Sequence, residues 1–258
     1  MIKETLSKNK VYIIIVIILL LYLGITYTVY KKNQKKENNT EYFVTNNSKY
    51  IYLEGNLKKI ENELELNWKD YNVYIDNKFL GKYKLQYNNK WYVYNDQHDP
   101  IKYEGNVLAF TNENIKVYEF NRQDITQEEI ERINSYLTKE NINIVDYNTY
   151  DSKIEYDMDN DGIKEKIYRI NSKINNNNDN IFSLILVEKG NKLIKVKSNV
   201  ANNESYEKIM IYDLYGIINI DKDNELEIVI TEMKYSQPNK RNEIVYKLKN
   251  NRYEQISE

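Results

Sequence analysis

Acidic side chains crowd one short run of this 258-residue chain: Asp157, Asp159, Asp161 and Glu165 fall within DMDNDGIKE. Counted as a loop, they take positions 1, 3, 5 and 9, with Gly162 at position 6 and the carbonyl of Ile163 at position 7. Alternate positions of a tight loop aim short carboxylates at one point, and a glycine permits the sharp turn. Carboxylates that close repel one another unless a cation sits among them. Calcium takes six to eight such oxygens at about 2.3–2.6 Å. The run is not an EF-hand, which needs a bidentate Glu at position 12, because Tyr168 stands there and the flanks alternate like strands.

The spacing recurs 62 residues further on. Asn219, Asp221, Asp223 and Glu227 replace Asp157, Asp159, Asp161 and Glu165, while Asn224 replaces Gly162 and Glu225 replaces Ile163. Asparagine is the non-glycine residue most at ease in left-handed backbone, so the turn is expected to persist at Asn224. An apolar strand follows each copy: Ile167, Tyr168, Arg169 and Ile170, then Ile228, Val229 and Ile230. A period of this length marks a repeated supersecondary unit.

This unit, strand–DxDxDGxxE–strand with two more strands after a polar loop, resembles the FG-GAP or VCBS-type repeat over residues 147–258. The resemblance implies that each copy is a propeller-blade-like β unit with Ca2+ in its loop. It implies as ligands Asp157, Asp159, Asp161 and Glu165 in the first copy, and Asn219, Asp221, Asp223 and Glu227 in the second. Two copies do not close a ring, so two blade-like units are expected.

The remaining elements frame these loops. Residues 11–30, VYIIIVIILLLYLGITYTVY, carry no charge. At 1.5 Å per residue they form about 30 Å of helix, the thickness of a bilayer's hydrocarbon core, which they are expected to cross in contact with lipid. No small-residue cleavage site follows, so an uncleaved signal anchor is expected behind a cytoplasmic tail, residues 1–10. Residues 31–48 read as a polar stalk, 49–122 as a β-rich antiparallel meander, and 123–146 as a helix with its connector. Thr126 and Glu129 form a capping box, and Ile130, Ile133 and Leu137 fall on one face, which predicts an amphipathic helix over 127–139. Asn88 with Asn89, Gly190 with Asn191, and Asn250 with Asn251 predict hairpin turns. The fold class expected is mainly β, with an N-terminal transmembrane helix, one amphipathic helix and the two repeats.

Composition narrows the function. The chain has no cysteine and one histidine, His98, which excludes thiolate chemistry and makes acid–base work at His98 improbable without a partner. From Glu37 onward 30 basic side chains face 38 acidic ones, a net of −8, so nucleic acid is not an expected partner. Asparagine, at 39 residues, reflects the bias of an AT-rich genome. No nucleophile elbow, phosphate loop or zinc-protease motif occurs, so binding or scaffolding is expected and not catalysis. The alternatives are a membrane-anchored cell-wall hydrolase, which needs two carboxylates about 5–9.5 Å apart across a groove, and an inward-facing regulatory domain. Trp68, Trp91, Tyr92 and Tyr94 offer an aromatic platform for a surface ligand, against the plainer reading as strand and core aromatics. Lysines flank residues 11–30 almost evenly, so orientation rests on calcium: loops of this kind outside cells bind at about 10⁻⁴–10⁻³ M, which suits an extracellular domain.

Overall fold

The computed structural model describes residues 22, 24–26, 41–53, 55–142, 150–172, 181–201 and 209–257. Of residues 11–30, Tyr22 and 24–26 are helical, with the Thr26 hydroxyl donating to the Tyr22 carbonyl at 3.0 Å. The rest of the expected membrane segment lies outside the described residues, as do residues 143–145, which read as a strand, and the asparagine run 175–178, which reads as a loop tip. Among the described residues no helix is long and apolar enough to cross a membrane. Glu41–Glu258 forms a compact unit separate from Met1–Thr40.

That unit is mainly β, built from three antiparallel sheets. The largest takes β1 (Glu41–Thr45), β2 (Lys49–Leu53), β3 (Asn56–Lys59), β4 (Asp70–Ile75), β5 (Lys78–Tyr87), β6 (Trp91–Tyr94), β7 (Pro100–Ile101) and β8 (Val107–Phe110). Its spatial order is β3-β2-β1-β8-β4-β5-β6-β7, a meander with β8 inserted between β1 and β4. The stalk therefore ends earlier than 48: Phe43 and Val44 of β1 are fully buried. A five-residue strand amid polar neighbours carries too few alternations to stand out from a linker.

After β9 (Lys116–Tyr118) comes α1 (Gln127–Lys139), which opens on the expected capping box: Glu129 N–H donates to Thr126 Oγ1 and Thr126 N–H to Glu129 Oε2. Two meanders follow. The first is β10 (Tyr150–Tyr156), β11 (Glu165–Asn171), β12 (Ile181–Lys189) and β13 (Lys192–Ala201). The second is β14 (Met210–Asn219), β15 (Glu227–Lys234), β16 (Arg241–Lys249) and β17 (Arg252–Gln255), and β9 pairs along β14 as its fifth strand. A strand from the region read as 49–122 thus completes a sheet of the region read as 147–258.

Side-chain alternation turns these sheets into a stack. In β15 and β16, Ile228, Ile230, Ile244 and Tyr246 meet Ile154, Ile167, Ile185 and Val187 of the first meander. The residues between them, Val229 and Val245, meet Phe43, Leu57, Leu108 and Phe110 of the eight-stranded sheet. The second meander is therefore covered on both faces, which is why its strands read as continuous apolar runs. The outer face of the first meander buries Tyr168, Ile170, Phe182, Leu184 and Leu186 under Ile133 and Leu137 of α1. Helix and eight-stranded sheet close the two ends of the stack.

Candidate metal centre

Each acidic loop joins the first two strands of its meander, and the 62-residue shift maps one hairpin onto the other. The pair Tyr156↔Glu165 closes the first, and its counterpart Ile218↔Glu227 closes the second. Both glutamates are buried, and both spend one oxygen alike: Glu165 Oε2 accepts from Met158 N–H and Glu227 Oε2 from Ile220 N–H, each at 2.8 Å. The fourth loop position is left-handed in both copies, at Asn160 (φ 56°) and Lys222 (φ 65°), and Gly162 adds a second left-handed residue in the first. The expectation for Asn224 is corrected: the second loop reverses at Lys222, where Asn219 Oδ1 accepts its N–H at 2.6 Å, and Asn224 stays out of the left-handed region. The loops also bind each other. Leu226 N–H donates to the Met158 carbonyl at 2.8 Å, and Asn160 Nδ2 to the Asn224 carbonyl at 2.7 Å.

In the first loop, carboxylate oxygens of Asp157, Asp159 and Glu165 converge to within 4.8 Å of one another. Asp157 also caps the turn, accepting from Asp161 N–H at 3.1 Å and Gly162 N–H at 3.0 Å. Asp161 Oδ1 takes the Ile163 N–H at 2.7 Å, and Asp161 stands outside the converging trio. Lys189, at the end of β12, reaches Asp159 Oδ2 at 2.6 Å and holds that carboxyl below the usual carboxylate range. Asp159 Oδ1 is buried and accepts no hydrogen bond among the described residues. Burial pushes the Glu165 carboxyl above its ordinary value. An orphaned carboxylate oxygen beside two further carboxylates fits a divalent cation, because a buried acceptor without a donor is otherwise costly.

The second loop is arranged differently. Asp221, Asp223 and Glu227 converge as their counterparts do, but Lys247 of β16 stands among them. Its ammonium donates to Asp221 Oδ2 and Asp223 Oδ2 and lies 3.2 Å from Glu227 Oε1. Burial alone would lower the Lys247 pKa, but the bonds to Asp221 and Asp223 outweigh it and raise it above the usual lysine value. Burial, with the Asp221 charge behind it, pushes Glu227 up to about 7 against the Ile220 N–H. Asn219 turns its amide to the Asp223 carbonyl at 2.8 Å, and Glu225 N–H donates to Asp223 Oδ1 at 2.8 Å.

The sequence pattern did not reveal the two lysines. Lys189 and Lys247 stand one register step beyond Lys166↔Glu188 and Ile228↔Tyr246, across from Glu165 and Glu227. They follow their glutamates at unequal separations, so no fixed spacing marks them.

The four aromatics do not make one platform. Trp91 and Val93 point into the core while Tyr92 and Tyr94 take the other face of β6. Trp68, 42% exposed, packs at a tilt with its ring centre 5.1 Å from those of both Tyr94 and His98. A groove of about 890 Å³ is lined by Trp91, Tyr92, Ile101, Lys102, Tyr103 and Glu104, among others. Among the described residues Glu104 is the one carboxylate lining it, where glycoside hydrolysis uses a pair. No known protein family, no curated protein and no solved structure matches the chain.

Proposed function

We propose that the chain is a single-pass membrane protein whose β domain is held rigid by calcium in the first acidic loop and serves in binding or scaffolding at the cell surface, not in catalysis. Asp157, Asp159 and Glu165 would ligate the ion, with Asp161 and the Ile163 carbonyl within the same loop. The resemblance to FG-GAP-type repeats supports this reading, as does the uncharged segment at residues 11–30. The observation that carries it is the buried Asp159 Oδ1, which has no donor among the described residues and belongs to one of three converging carboxylates. Calcium there would tie the start of β11 to its hairpin and, through Leu226 N–H and Asn160, to the neighbouring loop.

Thermal unfolding of the full chain in nonionic detergent, in EDTA and in calcium up to several millimolar, tests the reading. At about 100-fold excess over its dissociation constant the ion adds about 2.7 kcal/mol, which raises the midpoint by about 5–10 °C. Asp159→Ala is expected to abolish the rise. A wild-type midpoint that ignores calcium would overturn the metal assignment and remove its support for an extracellular domain.

A further inference from the structure

The two hairpins share register, buried glutamate and a lysine across the ladder, yet they treat that lysine differently. Lys189 closes its strand, beside the turn at Gly190, its side chain is 31% exposed, and it bonds one carboxylate. Lys247 sits inside β16, its side chain is 9% exposed, and it faces three. In the first loop three carboxylates converge, the lysine bonds Asp159 alone, and Asp159 Oδ1 has no donor among the described residues. In the second, three converge as well, with Asn219 where the first has Asp157, and two of them accept directly from the ammonium. Glu227 is wholly buried, and its Oε1, which takes no hydrogen bond among the described residues, lies 3.2 Å from that ammonium.

From this asymmetry we infer that Lys247 is the resident cation of the second loop: its ammonium occupies the place calcium takes in the first, and the hairpin excludes metal for as long as that charge is present. A divalent ion entering among Asp221, Asp223 and Glu227 would have to displace a positive charge held there by the backbone of β16. A buried ammonium expelled without a partner is costly, so the exchange is unfavourable. Removing the charge while keeping the side-chain volume reverses the balance. It leaves three converging carboxylates, one wholly buried, with no cation, which is the condition that favours calcium. The repeat thus has two solutions to one electrostatic problem, an ion taken from solution and a charge supplied by the chain.

The inference rests on the first-loop reading for its comparison, and the tests separate the two. Full-length Asp159→Asn silences the first loop, so its unfolding midpoint is expected to ignore calcium. Adding Lys247→Met is expected to restore a calcium-dependent rise of several degrees, with a dissociation constant of about 10⁻⁴–10⁻³ M. This arm reads the second loop whether or not the first binds. If the double variant folds, as judged by circular dichroism, and ignores calcium, the inference is overturned. It is equally overturned if Asp159→Asn alone still responds and Asp221→Asn removes that response. Should Lys247→Met fail to fold, the wild type decides. Acetylation by an N-hydroxysuccinimide ester, followed by mass spectrometry, is expected to modify Lys247 at least about tenfold more slowly than exposed Lys222, at a rate unchanged from zero to 10 mM calcium. A Lys247 rate that climbs with calcium would show the ion displacing the ammonium.

Discussion

The outermost charges of the stack show how single residues fix its geometry. Glu129 is the third residue of α1 and is 2% exposed. Its Oε1 accepts from Lys153 at 2.8 Å and Lys166 at 2.7 Å, while its Oε2 closes the capping box on Thr126 N–H. Burial by itself would raise its pKa, but the two ammonium groups and Thr126 overcome that and pull it down to about 2. A carboxyl depressed in the folded state contributes stability that is complete above its unfolded value and is lost as pH falls through its folded one. From about 4.5 to about 2 that shift corresponds to about 3 kcal/mol. Urea unfolding at pH 7 is therefore expected to find Glu129→Gln about 3 kcal/mol less stable, because glutamine preserves the cap but removes the charge that Lys153 and Lys166 share, leaving Lys153 with Glu155 alone. Between pH 4.5 and 2 the wild type should lose that advantage and the two curves should meet. Parallel curves would mean that the cluster adds nothing through its charge.

Elements were legible where their periodicity was long or their punctuation chemical. Helix α1 could be bounded from its capping box and apolar spacing, and replacing Thr126 by Ala is expected to cost about 1 kcal/mol in the same unfolding assay, with Thr126→Asn close to neutral. The hairpin asparagines behaved as their tolerance of left-handed backbone requires: Asn89, Asn250 and Asn251 all have positive φ. The acidic hairpins were legible because their acidic residues lie within nine residues of each other. Strand β1 and the pairing of β9 with β14 were not. Both depend on partners far along the chain, Phe43 opposite Phe110 and Tyr118 opposite Ile217, and no local pattern specifies such a partner. Lys247 was hidden likewise, because a lysine in a strand becomes a counter-ion only once sheet register sets it across from Glu227. Gly216 is a third case. A Cβ there would lie 2.9 Å from Leu108 Cδ1 and 3.0 Å from Asn77 Oδ1, a close approach that only the packing of two sheets creates.

At the scale of the whole molecule, that interleaving makes the sheets interdependent. The second meander borrows β9 from the chain before α1 and buries Tyr215, Ile218, Val229 and Val245 against the eight-stranded sheet. Polar bonds reinforce the contact: Glu243 of β16, wholly buried, accepts from Thr45 Oγ1 at the end of β1 at 2.6 Å and from Asn47 Nδ2 in the turn that follows at 2.8 Å. A fragment starting at residue 123 would expose that apolar face and leave the β14 edge unpaired, a recipe for association between chains. It is expected to give no cooperative thermal transition, whereas the intact chain unfolds its β domain in one step. The two tryptophans make the claim measurable, because Trp68 precedes β4 and Trp91 begins β6, so their fluorescence reports on the eight-stranded sheet. Far-ultraviolet circular dichroism reports on all three sheets. Coincident midpoints by the two probes, moving together when calcium binds in the first meander, are the expected result. A tryptophan transition that stays fixed while the circular dichroism midpoint rises would mean that the stack is two folding units, with the metal stabilising only one.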